Sequence, residues 1–165
     1  MKISEQRILG LDPGFGRTGY ALISGNKDKP IIDSFGLIET YPSSSQSERL
    51  TEIISKINVL IKEFKPTLVA LEKVFFAANT KTALQVGEAR GALLVAIEQH
   101  HLPIVEYTPP QVKLSVTGDG KADKKQIQKM LQIIFKQSEV IKSDDAADAV
   151  AIALCALNHA HLSRF

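Results

Sequence analysis

Four acidic residues, spread along the chain, are the side chains best suited to chemistry. Asp12 closes the apolar run Arg7-Ile-Leu-Gly-Leu, and Glu72 closes Thr67-Leu-Val-Ala-Leu. Asp145 and Asp148 lie three apart at the start of an alanine-rich helical segment, so they share one face of it. A carboxylate at the end of a buried strand is costly unless something pairs with it. Four converging carboxylates suit a hard divalent cation such as Mg2+ or Mn2+. Taken singly, each acid has an ordinary structural role. Asp12-Pro13-Gly14 makes a turn, Glu72 ends a surface strand, and Asp144, Asp145 and Asp148 favour a helix N-terminus. Their joint placement shifts the balance towards a metal site.

The elements that must bring these acids together follow from hydrophobic periodicity. Arg7–Asp12, Thr18–Ser24 and Ile31–Tyr41 predict three strands separated by glycine-rich or proline-containing turns, an antiparallel meander. From Ser47 to Phe64, Leu50, Ile53, Ile54, Ile57, Leu60, Ile61 and Phe64 fall on one helical face. Thr67–Glu72 is almost wholly apolar, as a strand covered on both sides requires. A second long helix is expected over Asn79–His100, a fifth strand over Pro103–Tyr107, and further helices over Lys121–Lys136 and from Asp144 to about His161. The order predicts an α/β domain with a five-stranded mixed sheet rather than a βαβ repeat. With the first and fourth strands as central neighbours, Asp12 and Glu72 stand side by side, and the last helix can bring Asp145 and Asp148 against them.

Composition narrows the function classes. At 165 residues and 44% hydrophobic, the chain is expected to form one domain, residues 1–165, with a sizeable core. No apolar stretch is long enough to span a membrane. Met1-Lys-Ile-Ser-Glu-Gln-Arg is not followed by an apolar segment of the signal-peptide kind, so a cytoplasmic location is expected. The single cysteine, Cys155, excludes an intrachain disulfide and reads as a buried thiol. Net charge is only +2, but Gln111–Lys142 carries seven lysines against Asp119, Asp123 and Glu139. A basic flank beside an acidic pocket is what a metal-dependent nuclease needs. The bland alternative for these lysines is a solvated helix face.

Two other patterns carry little weight. Gly14-Phe-Gly-Arg-Thr-Gly19 matches the dinucleotide-binding fingerprint, but the residues that follow alternate like a strand, and the fingerprint requires a helix there. His159 and His161 lie two apart on a helix and do not share a face.

The blocks Gly10-Leu-Asp-Pro-Gly-Phe-Gly-Arg-Thr-Gly-Tyr, Ala70-Leu-Glu-Lys-Val-Phe-Phe-Ala-Ala-Asn, Gly87-Glu-Ala-Arg-Gly and Asp145-Ala-Ala-Asp-Ala together resemble the RuvC family, bacterial Holliday-junction resolvases of the ribonuclease H-like superfamily. The resemblance implies a ribonuclease H-like fold and a Mg2+-dependent endonuclease that nicks four-way DNA junctions in recombination and repair. It implies two metal ions per site, with Mn2+ a ready substitute, held by Asp12, Glu72, Asp145 and Asp148, although some relatives carry His where Asp145 stands. It also implies DNA contacts by Lys113 and Lys124, with Lys124 aiding catalysis at the scissile phosphate, and an aromatic, Phe75, inserted at the crossover. Ala78 stands where many relatives have Lys, and Lys121, where a small residue is usual, is expected to compensate in part. The implied partners are a second copy of the chain, a four-way DNA junction, and the branch-migration proteins RuvA and RuvB. The competing readings are a YqgF-like nuclease acting on RNA and a junction-binding protein without catalysis.

Overall fold

The computed structural model describes residues 6–73 and 80–160. Three antiparallel strands come first, β1 (Gln6–Asp12), β2 (Arg17–Asn26) and β3 (Lys29–Glu39). They are followed by α1 (Gln46–Phe64), β4 (Leu68–Glu72), α2 (Thr80–Glu98) and β5 (Ile104–Tyr107), then by α3 (Pro109–Thr117), α4 (Lys124–Ile134) and α5 (Asp144–His159). The sheet order is β3-β2-β1-β4-β5. β1 runs antiparallel to β2 and parallel to β4, and β5 is parallel to β4. This is the mixed five-stranded sheet expected from the sequence, with β1 at its centre. No helix among the described residues is long and apolar enough to cross a membrane.

Strand alternation divides the core in two. Ile8, Ala21, Ile23 and Ala70 face α5 and the helices beside it. Leu9, Leu11, Leu22, Val69 and Leu71 face Ile53, Ile57 and Ile61 of α1 and Leu93 and Ile97 of α2. A sheet covered on both faces must be apolar at consecutive positions, which is why β1 and β4 lack a polar face. The same two-residue period puts Asp12 on the side of Ile8, and Glu72 on the side of Ala70, so both acids fall on the α5 side of the sheet.

α5 is the element that closes the site. From Ala146 to Leu157 every residue but Asp148 is buried, the pattern of a helix enclosed on all sides. Its alanines and two glycines of the sheet allow backbone-to-backbone approach. A Cβ on Gly10 would lie 2.3 Å from the Ala149 carbonyl oxygen, and one on Gly19 would lie 2.0 Å from that of Asp145. Gly19 of the apparent dinucleotide fingerprint is therefore a seat for α5, and a strand follows the turn as the alternation predicted.

Two helices differ from expectation. α3 was not foreseen, although its signals are present. The Thr108 hydroxyl accepts from the Gln111 N–H, and the Gln111 side chain accepts from the Thr108 N–H. Pro109 and Pro110 occupy the first turn, and Gly118 ends the helix with φ 78°. α4 begins at Lys124 rather than Lys121, because Asp123 caps it and forms a reciprocal pair with Gln126. Lys121 thus lies in the preceding turn, its N–H donating to Asp119 Oδ1 at 2.8 Å, and not on the helix face where it was expected.

Candidate active site

β1 and β4 deliver two acids to one place. Their parallel register pairs Leu11 with Leu71, and Asp12 and Glu72 follow as the next residue on each strand. α5 delivers two more. Ser143 caps its N-terminus, accepting from the Ala146 N–H at 3.4 Å, and Asp144, Asp145 and Asp148 follow in the first two turns. Gly19 sets the distance between the pairs. It is the antiparallel partner of Asp12, and the Asp145 carbonyl packs directly on it.

The turn after Asp12 is held from several directions. Phe15 is buried under the Arg49 guanidinium, which lies 3.8 Å from its ring centre. Thr40 Oγ1 donates to the Phe15 carbonyl at 2.9 Å, and Arg49 Nε donates to Thr40 Oγ1 at 2.9 Å. Thr18 Oγ1 donates to the Gly14 carbonyl at 2.8 Å. Sequence reasoning missed Arg49 and Thr40, since their roles arise only when β3 and α1 meet the turn.

The acids act on one another as a cluster. Asp12 is pushed from its ordinary 3.8 up to about 8, first by burial and then by Asp148, Glu72 and Asp145, with Lys124 opposing. Glu72 is raised by burial and by Asp148, with Lys113 opposing. Asp148 is raised chiefly by burial, and Asp144 and Asp145 add to it, while Lys124 and Lys113 oppose. Burial and like charge both disfavour the ionised form, so this cluster calls for positive charge. Lys113 of α3 and Lys124 of α4 lie close enough to supply part of it. Lys121 is not among the cations that perturb these carboxylates.

Two pairings were not anticipated. Lys124 Nζ lies 3.1 Å from Asp144 Oδ2, a contact that raises the Lys124 pKa. Gln128 Nε2 donates to the other Asp144 oxygen at 3.2 Å. Asp144 thus ties α4 to the start of α5 and holds Lys124 at the rim. Asp145 also has a cation beside it, its Oδ2 3.3 Å from Nε of Arg17, the first residue of β2. Among the described residues, no three Asp, Glu, His or Cys side chains gather closely enough to clasp a cation as they stand. The donor set still fits a hard divalent ion. It is all oxygen, and its central member is pushed towards keeping a proton first by burial and then by the acids around it. Phe75 and Ala78 lie outside the described residues.

Residues 8–156 match the family model for crossover junction endodeoxyribonuclease RuvC. The chain belongs to the RuvC family. The crossover junction endodeoxyribonuclease RuvC of Caldicellulosiruptor saccharolyticus is 46% identical over 150 residues, covering 90% of each chain. That of Natranaerobius thermophilus is 45% identical over 148 residues, covering 90% of this chain and 92% of its own. Thermus thermophilus RuvC in complex with Holliday junction substrate superposes with a TM-score of 0.91 at 30% identity, covering 95% of this chain and 96% of that one. The RuvC likeness extends through all five strands and through the α5 segment that carries Asp145 and Asp148.

Proposed function

We propose that this RuvC-family chain is a Holliday junction resolvase, cutting DNA phosphodiesters at four-way junctions by metal-assisted hydrolysis. The observation that carries the reading is the position of Asp12, half-buried at the end of the central strand and surrounded by Glu72, Asp148 and Asp145. Asp12, Glu72, Asp148 and, after release from Arg17, Asp145 are the residues that would hold Mg2+, two ions by the family pattern. Bound divalent cations supply Lewis acidity at the phosphate and lower the pKa of the attacking water.

The chain's own groups orient the substrate around that site. Asp12, with Glu72, Asp148 and Asp145 around it, would be the central ligand of the metal site. Glu72 comes from β4 and Asp148 from α5, so the two would approach the bound metal from different elements. Lys124 sits at the rim with its side chain two-thirds exposed. It can leave Asp144 for a non-bridging phosphate oxygen and stabilise charge as it develops there. Lys113, close to Glu72 and Asp148, would hold a neighbouring phosphate. Lys121, in its turn before α4, would add only diffuse attraction. Phe75, by family resemblance, would enter the junction crossover.

A two-fold junction calls for a two-fold enzyme, and α2 offers the surface. Leu84 and Val95 are 65% and 53% exposed. Gly91 shares their stripe, and a Cβ there would meet nothing within 4 Å. A second copy packing along this stripe would give the paired, symmetric nicks of a resolvase. RuvA and RuvB are the partners the family resemblance suggests.

The test is a synthetic four-way DNA junction incubated with Mg2+ or EDTA, beside matched duplex and RNA substrates. Mg2+-dependent paired nicks in the junction are expected, lost in Glu72→Gln and Asp148→Asn with junction binding retained and weakened less in Asp145→Asn. Preferential cutting of RNA, or wild-type cutting in either of the first two variants, would overturn the assignment.

A further inference from the structure

Arg17 and Asp145 meet because of backbone geometry. Arg17 lies two residues before Gly19 on β2, and the two-residue period puts both on the α5 side of the sheet. Gly19 admits the Asp145 carbonyl, so the first turn of α5 lies within reach of the Arg17 side chain. The resulting ion pair, 3.3 Å from Nε to Oδ2, has 62% of the Arg17 side chain and 32% of that of Asp145 exposed. The cluster therefore has two kinds of acid. Asp12, Glu72 and Asp148 crowd one another and lack a guanidinium partner among the described ion pairs. Asp145 already has a cation.

We propose that Arg17 is a positioning residue that competes with the metal for Asp145, raising the divalent-cation concentration needed to load the DNA-free protein. The inference rests on the metal-site reading above. The Asp145 oxygen paired with the guanidinium is shared between that cation and any metal in the cluster, so Arg17 and the metal draw the same carboxylate in different directions. Because the Arg17 side of the pair is largely exposed, its hold on Asp145 is modest, worth about two- to five-fold in an equilibrium.

The experiment measures Mn2+ binding to the DNA-free protein by electron paramagnetic resonance, in wild type, Arg17→Gln, Asp145→Asn, the double variant and Asp12→Asn. Arg17→Gln should bind Mn2+ about two- to five-fold more tightly than wild type. In the Asp145→Asn background the same substitution should have no effect, because the carboxylate it acts through is gone. An unchanged or weaker affinity in Arg17→Gln overturns the proposal. So does an equal gain with and without Asp145, which would mean that only net charge matters. The Arg17 Nε–H resonance gives an independent readout. On titration with Mg2+ it should move towards its position in metal-free Asp145→Asn, and a signal that Mg2+ does not move also overturns the proposal. If wild type binds no Mn2+, or Asp12→Asn binds it equally well, the metal site itself is wrong. Normal Asp12-dependent binding with no effect of Arg17→Gln is failure of the Arg17 inference alone.

Discussion

Replacing Asp12 by Asn should stabilise the metal-free protein even though it destroys the proposed site. The Asp12 carboxyl has a pKa of about 8 in the folded chain against an ordinary 3.8, so at pH 7 folding forces it to take up a proton. Each pKa unit is worth about 1.4 kcal/mol, and the interval from 3.8 to 7 sets a ceiling of about 4 kcal/mol. Neighbouring carboxylates can turn apart and water can enter, which lowers the expected gain in Asp12→Asn to about 2–4 kcal/mol. The sign is fixed by linkage. Between pH 4 and pH 8 the folded state holds a proton that the unfolded state has lost, so the wild type loses stability relative to Asp12→Asn as pH rises through that window. Above about pH 8 the difference levels off. The assay is urea denaturation of both proteins in EDTA at several pH values from 5 to 8.5, repeated with saturating Mg2+. Mg2+ should restore most of the deficit to wild type and little to Asp12→Asn, because a bound cation replaces the proton. A variant less stable than wild type at pH 7 in EDTA, or a difference that does not grow with pH, would refute the idea that Asp12 is crowded into protonation.

The other expectations concern the parts around that acid. Lys113→Gln and Lys124→Gln should each reduce the slope of log K against log salt for junction binding by about 0.9 and should also slow cutting at saturating DNA. Lys121→Gln should leave the saturating rate unchanged, and salt titrations beside single-turnover cleavage will show this. Gly19→Ala must push α5 away from the sheet, because its Cβ would fall 2.0 Å from the Asp145 carbonyl oxygen. A loss of about 1–3 kcal/mol in denaturant unfolding should accompany weaker Mg2+ binding. Sedimentation at micromolar concentration should report about twice 18.1 kDa, and Gly91→Leu should lower it while impairing paired nicking.

The acid ends of β1 and β4 were readable because each follows an apolar run that admits one structure, a strand covered on both faces. Asp145 and Asp148 were readable because an alanine-rich helix with acids in its first turns states its own direction. α3 escaped because its nine residues offer a single buried helical pair, Val112 and Val116, with Leu114 between them making the run alternate like a strand, and two prolines open it. The capping pair Thr108 and Gln111 with Gly118 carried the signal instead. Lys121 was misplaced for a related reason. Periodicity alone extends α4 backward, and only the Asp123–Gln126 cap fixes its start. Arg17 and Arg49 could not be assigned from the sequence. Their partners lie 128 residues away in one case and on another element's turn in the other, and both contacts exist only after α5 and α1 have docked.

The enclosure of α5 also bears on how the protein fails. A helix buried on all sides cannot detach by fraying, since lifting it opens both the sheet and the packing with α3 and α4. Its amide hydrogens from Ala146 to Leu157 then exchange with solvent only when the whole domain opens, while the exposed turns around Gly118 and Lys121 exchange locally. Two of the four acids ride on that helix, Asp145 in its first turn and Asp148 in its second, so detaching it would remove both at once. Heating should leave each molecule either competent or unfolded, and loss of nuclease activity should track the cooperative loss of the fold instead of preceding it.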